Sequence, residues 1–225
     1  MIKKLLVLDL DETLVYSNTT PMEGWDFARE IDGFKFWIKK RPGLDLFLQK
    51  VVLLYDLAIW SAGGDGYVKS TIKAIAPDIP FVFIWSSNRC TRKYTPFSDH
   101  DHPEYERGYY MIKDLKKIRR GNFGLWWNRW NIVVVDDKWE TYQRNRGNAI
   151  AIGEYNGEKD DQELIRVAEI LEKLVGYENV RTGLKLIMDD HIYRTAEEKK
   201  YRNTQIYDLL KEEAFDCLVF YGNSI

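Results

Sequence analysis

The chain has 225 residues, 45% hydrophobic and 30% charged, which are the proportions of a folded globular protein and not of a disordered one. Lys and Arg (33) nearly balance Asp and Glu (35), and the net charge of −2 excludes a protein that coats nucleic acid by bulk electrostatics, leaving only a local basic patch open. A chain of this length buries roughly 70% of its unfolded surface, so it needs no disulfide or metal staple to fold.

The first segment, Met1 to Leu8, opens with lysines and an apolar run, but Asp9, Asp11 and Glu12 end that run too early for a signal sequence or a membrane span. A buried first strand over Leu5 to Leu10 is expected instead. Residues 25 to 40 alternate around Asp32-Gly33, the signature of a β-hairpin. Gly43 to Leu54 places Leu44, Phe47, Leu48 and Val51 on one helical face. Leu57 to Trp60 is a second short apolar strand, and Asp65 to Ala76 a second helix that Pro77 stops. Residues 80 to 112, aromatic and locally basic with Pro96 and Pro103, are expected as a small inserted sub-structure.

Further strands are expected at Ile132 to Val135 and Ala149 to Ile152, followed by an amphipathic helix carrying Leu164, Val167, Ala168, Leu171, Leu174 and Val175. Beyond Gly176 the pattern weakens until Thr195 to Phe215, a helix with Thr195 as N-cap and Glu198 closing a capping box, and a strand at Cys217 to Tyr221. Continuously apolar strands alternating with helices give an α/β fold, a doubly wound, mostly parallel sheet with a hairpin flap, a small insert and no large cap domain. The expected division is a domain over residues 1–183 and a C-terminal extension, helix plus strand, over 184–225. Cys90 and Cys217 lie too far apart in sequence for a metal knuckle or a disulfide framework, so a reducing compartment, cytoplasmic or nuclear, is expected.

The most specific chemistry is at the end of the first strand, Asp9-Leu10-Asp11-Glu12-Thr13. Two carboxylates two positions apart, at the carboxyl end of a buried strand, stand where α/β sheets bind ligands. Like charges this close require a cation or a shared proton, and Mg²⁺ is the natural partner. The bland reading, two aspartates capping a following helix, is poorly served by so acidic a sequence. Other schemes fail on spacing. Cys90 lacks an arginine six residues on, and no GxSxG, HExxH or P-loop is present.

Asp9-Leu10-Asp11-Glu12-Thr13-Leu14 resembles the first motif of the haloacid dehalogenase superfamily. It is most similar to the branch of phosphatases that act on the RNA polymerase II C-terminal domain and to their small relatives. Trp60-Ser61-Ala62, Ile112-Lys113-Asp114-Leu115 and Val134-Val135-Asp136-Asp137 match the second, third and fourth motifs in order, and Lys40-Arg41-Pro42-Gly43 and Asn148-Ala149-Ile150 extend the match. The resemblance covers about residues 1 to 183.

It implies a Mg²⁺-dependent phosphatase in which Asp9 attacks phosphorus and Asp11 serves as acid and then base. Ser61 and Lys113, with main-chain N–H groups near Leu10 and Ala62, would bind the phosphate. Asp9, the carbonyl of Asp11, and Asp136 or Asp137 would hold the metal, while Thr13 orders the loop. Arg89, Arg92 and Tyr110 would line a substrate groove. An uncapped site suits phosphoserine or phosphothreonine in a protein or peptide. The alternatives are a phosphatase acting on a nucleotide or a nucleic-acid end, which a basic run from Lys113 to Arg129 beside Trp126, Trp127 and Trp130 keeps open, or a binding protein of the same fold without turnover. Of these tryptophans, core packing is the expectation. Asp99-His100-Asp101-His102 is expected to be an exposed polar loop rather than a metal site. The sequence leaves the oligomeric state open.

Overall fold

The computed structural model describes residues 3–21, 23–94, 109–121 and 127–192. The expectations for Asp99 to His102, Trp126, Thr195 to Phe215 and Cys217 to Tyr221 lie outside these residues. The chain divides into two units, Met1–Leu184 and Lys185–Ile225. The sheets all belong to the first.

Five parallel strands, β1 (Lys4–Leu8), β5 (Tyr55–Trp60), β6 (Phe81–Trp85), β9 (Ile132–Asp136) and β10 (Ala149–Ala151), lie in the order β10-β9-β1-β5-β6. Their near-continuous apolar sequences follow from burial on both faces. On one face Leu5, Val7, Ala58, Trp60, Phe83, Trp85, Ile132 and Val134 pack with Leu115, Ile118 and Trp127. On the other, Leu6, Leu8, Ile59, Val133 and Val135 are equally buried. Helix α1 (Leu44–Leu54) and helix α5 (Glu163–Leu174) lie together, tied by a Lys50–Glu172 ion pair, and the Tyr55 hydroxyl donates to the Leu171 carbonyl. Helix α2 (Asp65–Ile75) links β5 to β6, and the short α3 (Lys116–Arg120) supplies Ile118 to the first face.

The flap is a separate three-stranded antiparallel sheet, β2 (Val15–Asn18), β4 (Phe34–Lys40) and β3 (Phe27–Ile31). Asp32 and Gly33 both take positive φ, 53° and 79°, so the β3–β4 turn is the two-residue type the sequence predicts. The stretch 80–112 divides differently from the expectation. Phe81–Trp85 is the edge strand of the main sheet, and only the residues after it form an insert, from which β7 (Thr91–Tyr94) and β8 (Tyr109–Ile112) pair as a hairpin. The aromatic content that made 81–85 look like part of the insert reflects packing: Phe83 stacks on Trp85, and Trp85 meets Trp60 edge-on.

Two more α-helices lie among the described residues. They are α4 (Trp139–Tyr142) and α6 (Val180–Ile192), and α6 occupies the region where the sequence pattern was weak. Trp127 is core as expected, but Trp130 is 41% exposed beneath the Arg129 guanidinium. Among the described residues no helix is long and apolar enough to cross a membrane.

Candidate active site

In chain order the sheet changes direction between β1 and β9. Open α/β sheets bind ligands beyond the carboxyl ends of their strands at such a switch point. Asp9 follows the last residue of β1, and Asp136 is the last residue of β9. Adjacent parallel strands therefore deliver two carboxylates to one crevice, and Asp137 adds a third. One oxygen from each of Asp9, Asp136 and Asp137 lies within 4.8 Å of the others.

Lys113, immediately after β8, reaches into this cluster. Its ammonium donates to Asp9 Oδ1 at 2.5 Å and to Asp136 Oδ2 at 2.7 Å, and its side chain is 2% exposed. Its backbone is fixed at both ends, the N–H donating to the Thr141 carbonyl and the C=O accepting from Asn145 Nδ2. Burial alone would discharge Lys113, but Asp136 and Asp9 outweigh it and raise its pKa. Burial pushes Asp9, Asp136 and Asp137 above the ordinary carboxylate range, with Lys113 pulling the first two back. Three carboxylates against one ammonium leave an excess of negative charge in a dry place. Asp137 Oδ2 is also buried with no hydrogen-bond partner. Hard carboxylate oxygens, a charge deficit and an orphaned oxygen together fit a hard divalent cation such as Mg²⁺.

Asp11 is not part of that cluster. Its carboxylate turns toward β5 and α2, accepting from the Tyr67 hydroxyl at 2.5 Å (Oδ1) and from the Ser61 hydroxyl at 3.1 Å (Oδ2). Burial raises its pKa, with the Tyr67 and Ser61 hydrogen bonds opposing. Burial and the neighbouring Asp11 charge push the Tyr67 phenol up, so it remains a donor. Ser61 is fully buried and also accepts from the Gly63 N–H. A Cβ on Gly63 would sit 3.1 Å from both Ser61 Oγ and the Tyr67 ring, so a side chain there would have to shift one of them. Leu10 has a wholly buried side chain, and Ala62 offers only a methyl, so each can serve an anion through its main chain alone.

The loop between Asp9 and Val15 is held by several elements at once. Glu12 adopts φ 57°, a left-handed conformation unusual for this residue type, and its carboxylate pairs with Lys138 at 2.6 Å. Its carbonyl accepts from the Tyr155 N–H and from Arg41. Thr13 donates to Asp137 Oδ1 at 2.9 Å, so it orders a member of the acidic cluster as well as the loop. Arg41 is the central brace. Its guanidinium, fully buried, binds both oxygens of Asp161 (2.7 and 2.8 Å) and the carbonyls of Thr13, Glu12 and Gly153.

The sequence motifs thus converge in space, with one group outside. Arg89 lies over the Trp85 ring and Arg92 over Tyr109, while Tyr110 lies under Lys93; none of these contacts is with a member of the acidic cluster. Tyr67 and Lys138 carry no motif that marks them for this centre, and Arg41, in the matched Lys40-Arg41-Pro42-Gly43 run, carries no sign there of its bracing role. Only tertiary distance reveals them.

Residues 4–181 match the sequence profile of the NLI interacting factor-like phosphatase family. A probable C-terminal domain small phosphatase of Dictyostelium discoideum is 30% identical over 83% of this chain and 54% of its own length. Phosphatase Herzog of Drosophila melanogaster is 32% identical over 82% of this chain and 47% of its own. The chain spans about half the length of these two relatives. A solved structure of the fission yeast RNA polymerase II CTD phosphatase Fcp1 is 19% identical, covers 99% of this chain and 67% of that one, and superposes with a TM-score of 0.47.

Proposed function

The chain belongs to the NLI interacting factor-like phosphatase family, and from that membership we propose that it is a Mg²⁺-dependent phosphatase acting through an aspartyl-phosphate on Asp9, with phosphoserine or phosphothreonine in protein as substrate. The observation that carries this reading is the meeting of Asp9, Lys113 and Asp136 at the switch point of the sheet. Asp9, Asp136, Asp137 and the Asp11 carbonyl would hold Mg²⁺, which when bound offsets charge on the transferring phosphoryl group.

An Asp9 oxygen forms a bond to phosphorus as the ester P–O bond breaks, and Asp11 gives its proton to the leaving alkoxide. Burial, by raising the Asp11 pKa, keeps a proton available for that step. Water then attacks the phosphorus, Asp11 takes a proton from it, and the bond to Asp9 breaks to release phosphate. Lys113, charged and rigidly held, stabilises the transferred oxygens, and the Ser61 hydroxyl and nearby N–H groups orient them.

Between β1 and β5 the described residues hold only the small flap sheet and α1, an arrangement open enough for a phosphorylated segment of another protein. The test is hydrolysis of p-nitrophenyl phosphate with Mg²⁺ or EDTA, followed by phosphopeptides against 3′- and 5′-phosphorylated oligonucleotides. Metal-dependent turnover that Asp9→Asn loses, with phosphopeptides preferred, is expected. Preference for oligonucleotides would overturn the substrate, and no turnover by a folded, Mg²⁺-binding protein would overturn the activity.

A further inference from the structure

A second concave site lies away from the carboxylates. It is a pocket of about 390 Å³ whose floor includes Ile132, at the opposite end of β9 from Asp136 and roughly 13 Å from it along the strand. Its cationic wall is built from four segments: Lys116 and Arg119 from α3, Arg129 from the turn before β9, Arg144 from the 3-10 turn Gln143–Asn148, and Arg181 from the first turn of α6. Asp114 is the one carboxylate lining it among the described residues, and it is already engaged by Arg144 at 3.0 Å. Lys116, Arg119, Arg129 and Arg181 have no ion-pair partner among the described residues. Four cationic side chains without an ion-pair partner among the described residues therefore line one cavity of a chain whose net charge is −2.

The site is also shaped. Arg181 donates to Asn148 Oδ1 at 3.0 Å, and its guanidinium lies so close over Gly147 that a Cβ there would meet it at 2.5 Å. Asn148 is itself buried and anchored to the Arg129 and Ile132 carbonyls. Asn145 is buried beneath Asp114 and bonded to Lys113 and Leu115. At least one arginine fork is thus held in place rather than sweeping through solvent, and planar forks match phosphate oxygens in pairs. A single phosphoryl group brings at most two negative charges, too few for this wall. The volume is in the range of small-ligand sites.

We infer that this pocket binds an anion with two or more linked phosphoryl groups, carried either as inorganic polyphosphate or as the phosphate tail of a nucleotide. The site is separate from the proposed catalytic centre, so the inference stands or falls independently of the proposed activity.

The experiment is isothermal titration calorimetry of the full chain at constant ionic strength, without divalent metal, using tripolyphosphate, ATP and sulfate as probes. Tripolyphosphate is expected to bind with one site per chain, and sulfate at least about tenfold more weakly. Arg119→Ala with Arg129→Ala should weaken tripolyphosphate about tenfold or more, and Lys116→Ala alone should weaken it less, both with unchanged circular dichroism. These side chains are exposed, so the fold should tolerate their loss. ATP binding as tightly as tripolyphosphate assigns the affinity to the phosphates, and tighter ATP assigns the occupant to nucleotides. Absence of tripolyphosphate binding, or binding that the double variant leaves intact, would overturn the inference. Binding of a single-stranded oligonucleotide with no response to tripolyphosphate would overturn it as well.

Discussion

Lys113 carries the charge balance of the centre. Among the described residues it is the one ammonium bonded to Asp9 and Asp136, and all three side chains are buried. Breaking a buried ion pair by deleting one partner leaves charge without compensation, at about 3–5 kcal/mol. Lys113→Met should therefore lower stability by that amount in urea titrations with EDTA, and Mg²⁺ should restore part of the loss. An unchanged unfolding midpoint would show that the carboxylates do not depend on this lysine. Tyr67 poses a smaller question of the same kind. Tyr67→Phe removes the hydrogen bonds to Asp11 and Ser17 but not the ring, and a hydrogen bond to a charged group contributes about 1.5–3 kcal/mol. A destabilisation of that size is expected, along with slower turnover at unchanged KM, because the phenol holds Asp11 and has no part in the phosphate contacts assigned to Ser61 and Lys113. A rise in KM with unchanged kcat would instead place the phenol on the substrate.

At the scale of elements, the Asp9-to-Val15 loop is held by parts of the chain far from it in sequence. Arg41, at the end of the flap, joins the carbonyls of Glu12, Thr13 and Gly153 to Asp161 ahead of α5. Arg41→Met would strand the Thr13 and Gly153 carbonyls and leave the Asp161 carboxylate without its cation, so a loss of about 3–5 kcal/mol is expected, with Asp161→Asn losing less because the carbonyl contacts survive. Equal melting temperatures for wild type and Arg41→Met would refute the brace.

Here the sequence was uneven as a guide. Asp9, Lys113, Asp136 and Asp137 were legible because each stands beside a buried strand or in a recognisable run, and strand order then brings them together. The Asp32-Gly33 turn was legible because two adjacent positive φ values leave few residue choices. The bracing bonds of Arg41 and the Tyr67–Asp11 bond were not, since neither has a period or a spacing. Phe81–Trp85 misled for a different reason. Aromatic residues suit an exposed groove and a packed sheet edge alike, and only the neighbours Trp60 and Leu115 decide between them.

For the molecule as a whole, two clusters of opposite charge stand apart within a nearly neutral chain. Negative charge gathers at the carboxyl ends of β1 and β9, and positive charge at the far end of β9. Each place should respond to the opposite ion. Mg²⁺ should raise the melting temperature by mass action, the increment growing with concentration and reversed by EDTA. Asp136→Asn should abolish that increment, whereas Arg119→Ala should leave it intact. A Mg²⁺ response that persists without Asp136 would move the cation elsewhere.

The central claim is that Asp9 takes the phosphoryl group. Asp11→Asn should retain attack on an activated ester such as p-nitrophenyl phosphate, whose leaving group needs little proton help, but should slow hydrolysis of the intermediate. Mixing that variant with the ester and Mg²⁺, quenching in acid and mapping the product by mass spectrometry is the most direct measurement. The expected result is a phosphoryl adduct on the peptide containing Asp9, absent when Asp9→Asn is added to the variant. Phosphate release by Asp9→Asn at the wild-type rate, or an adduct on any other residue, would contradict the account.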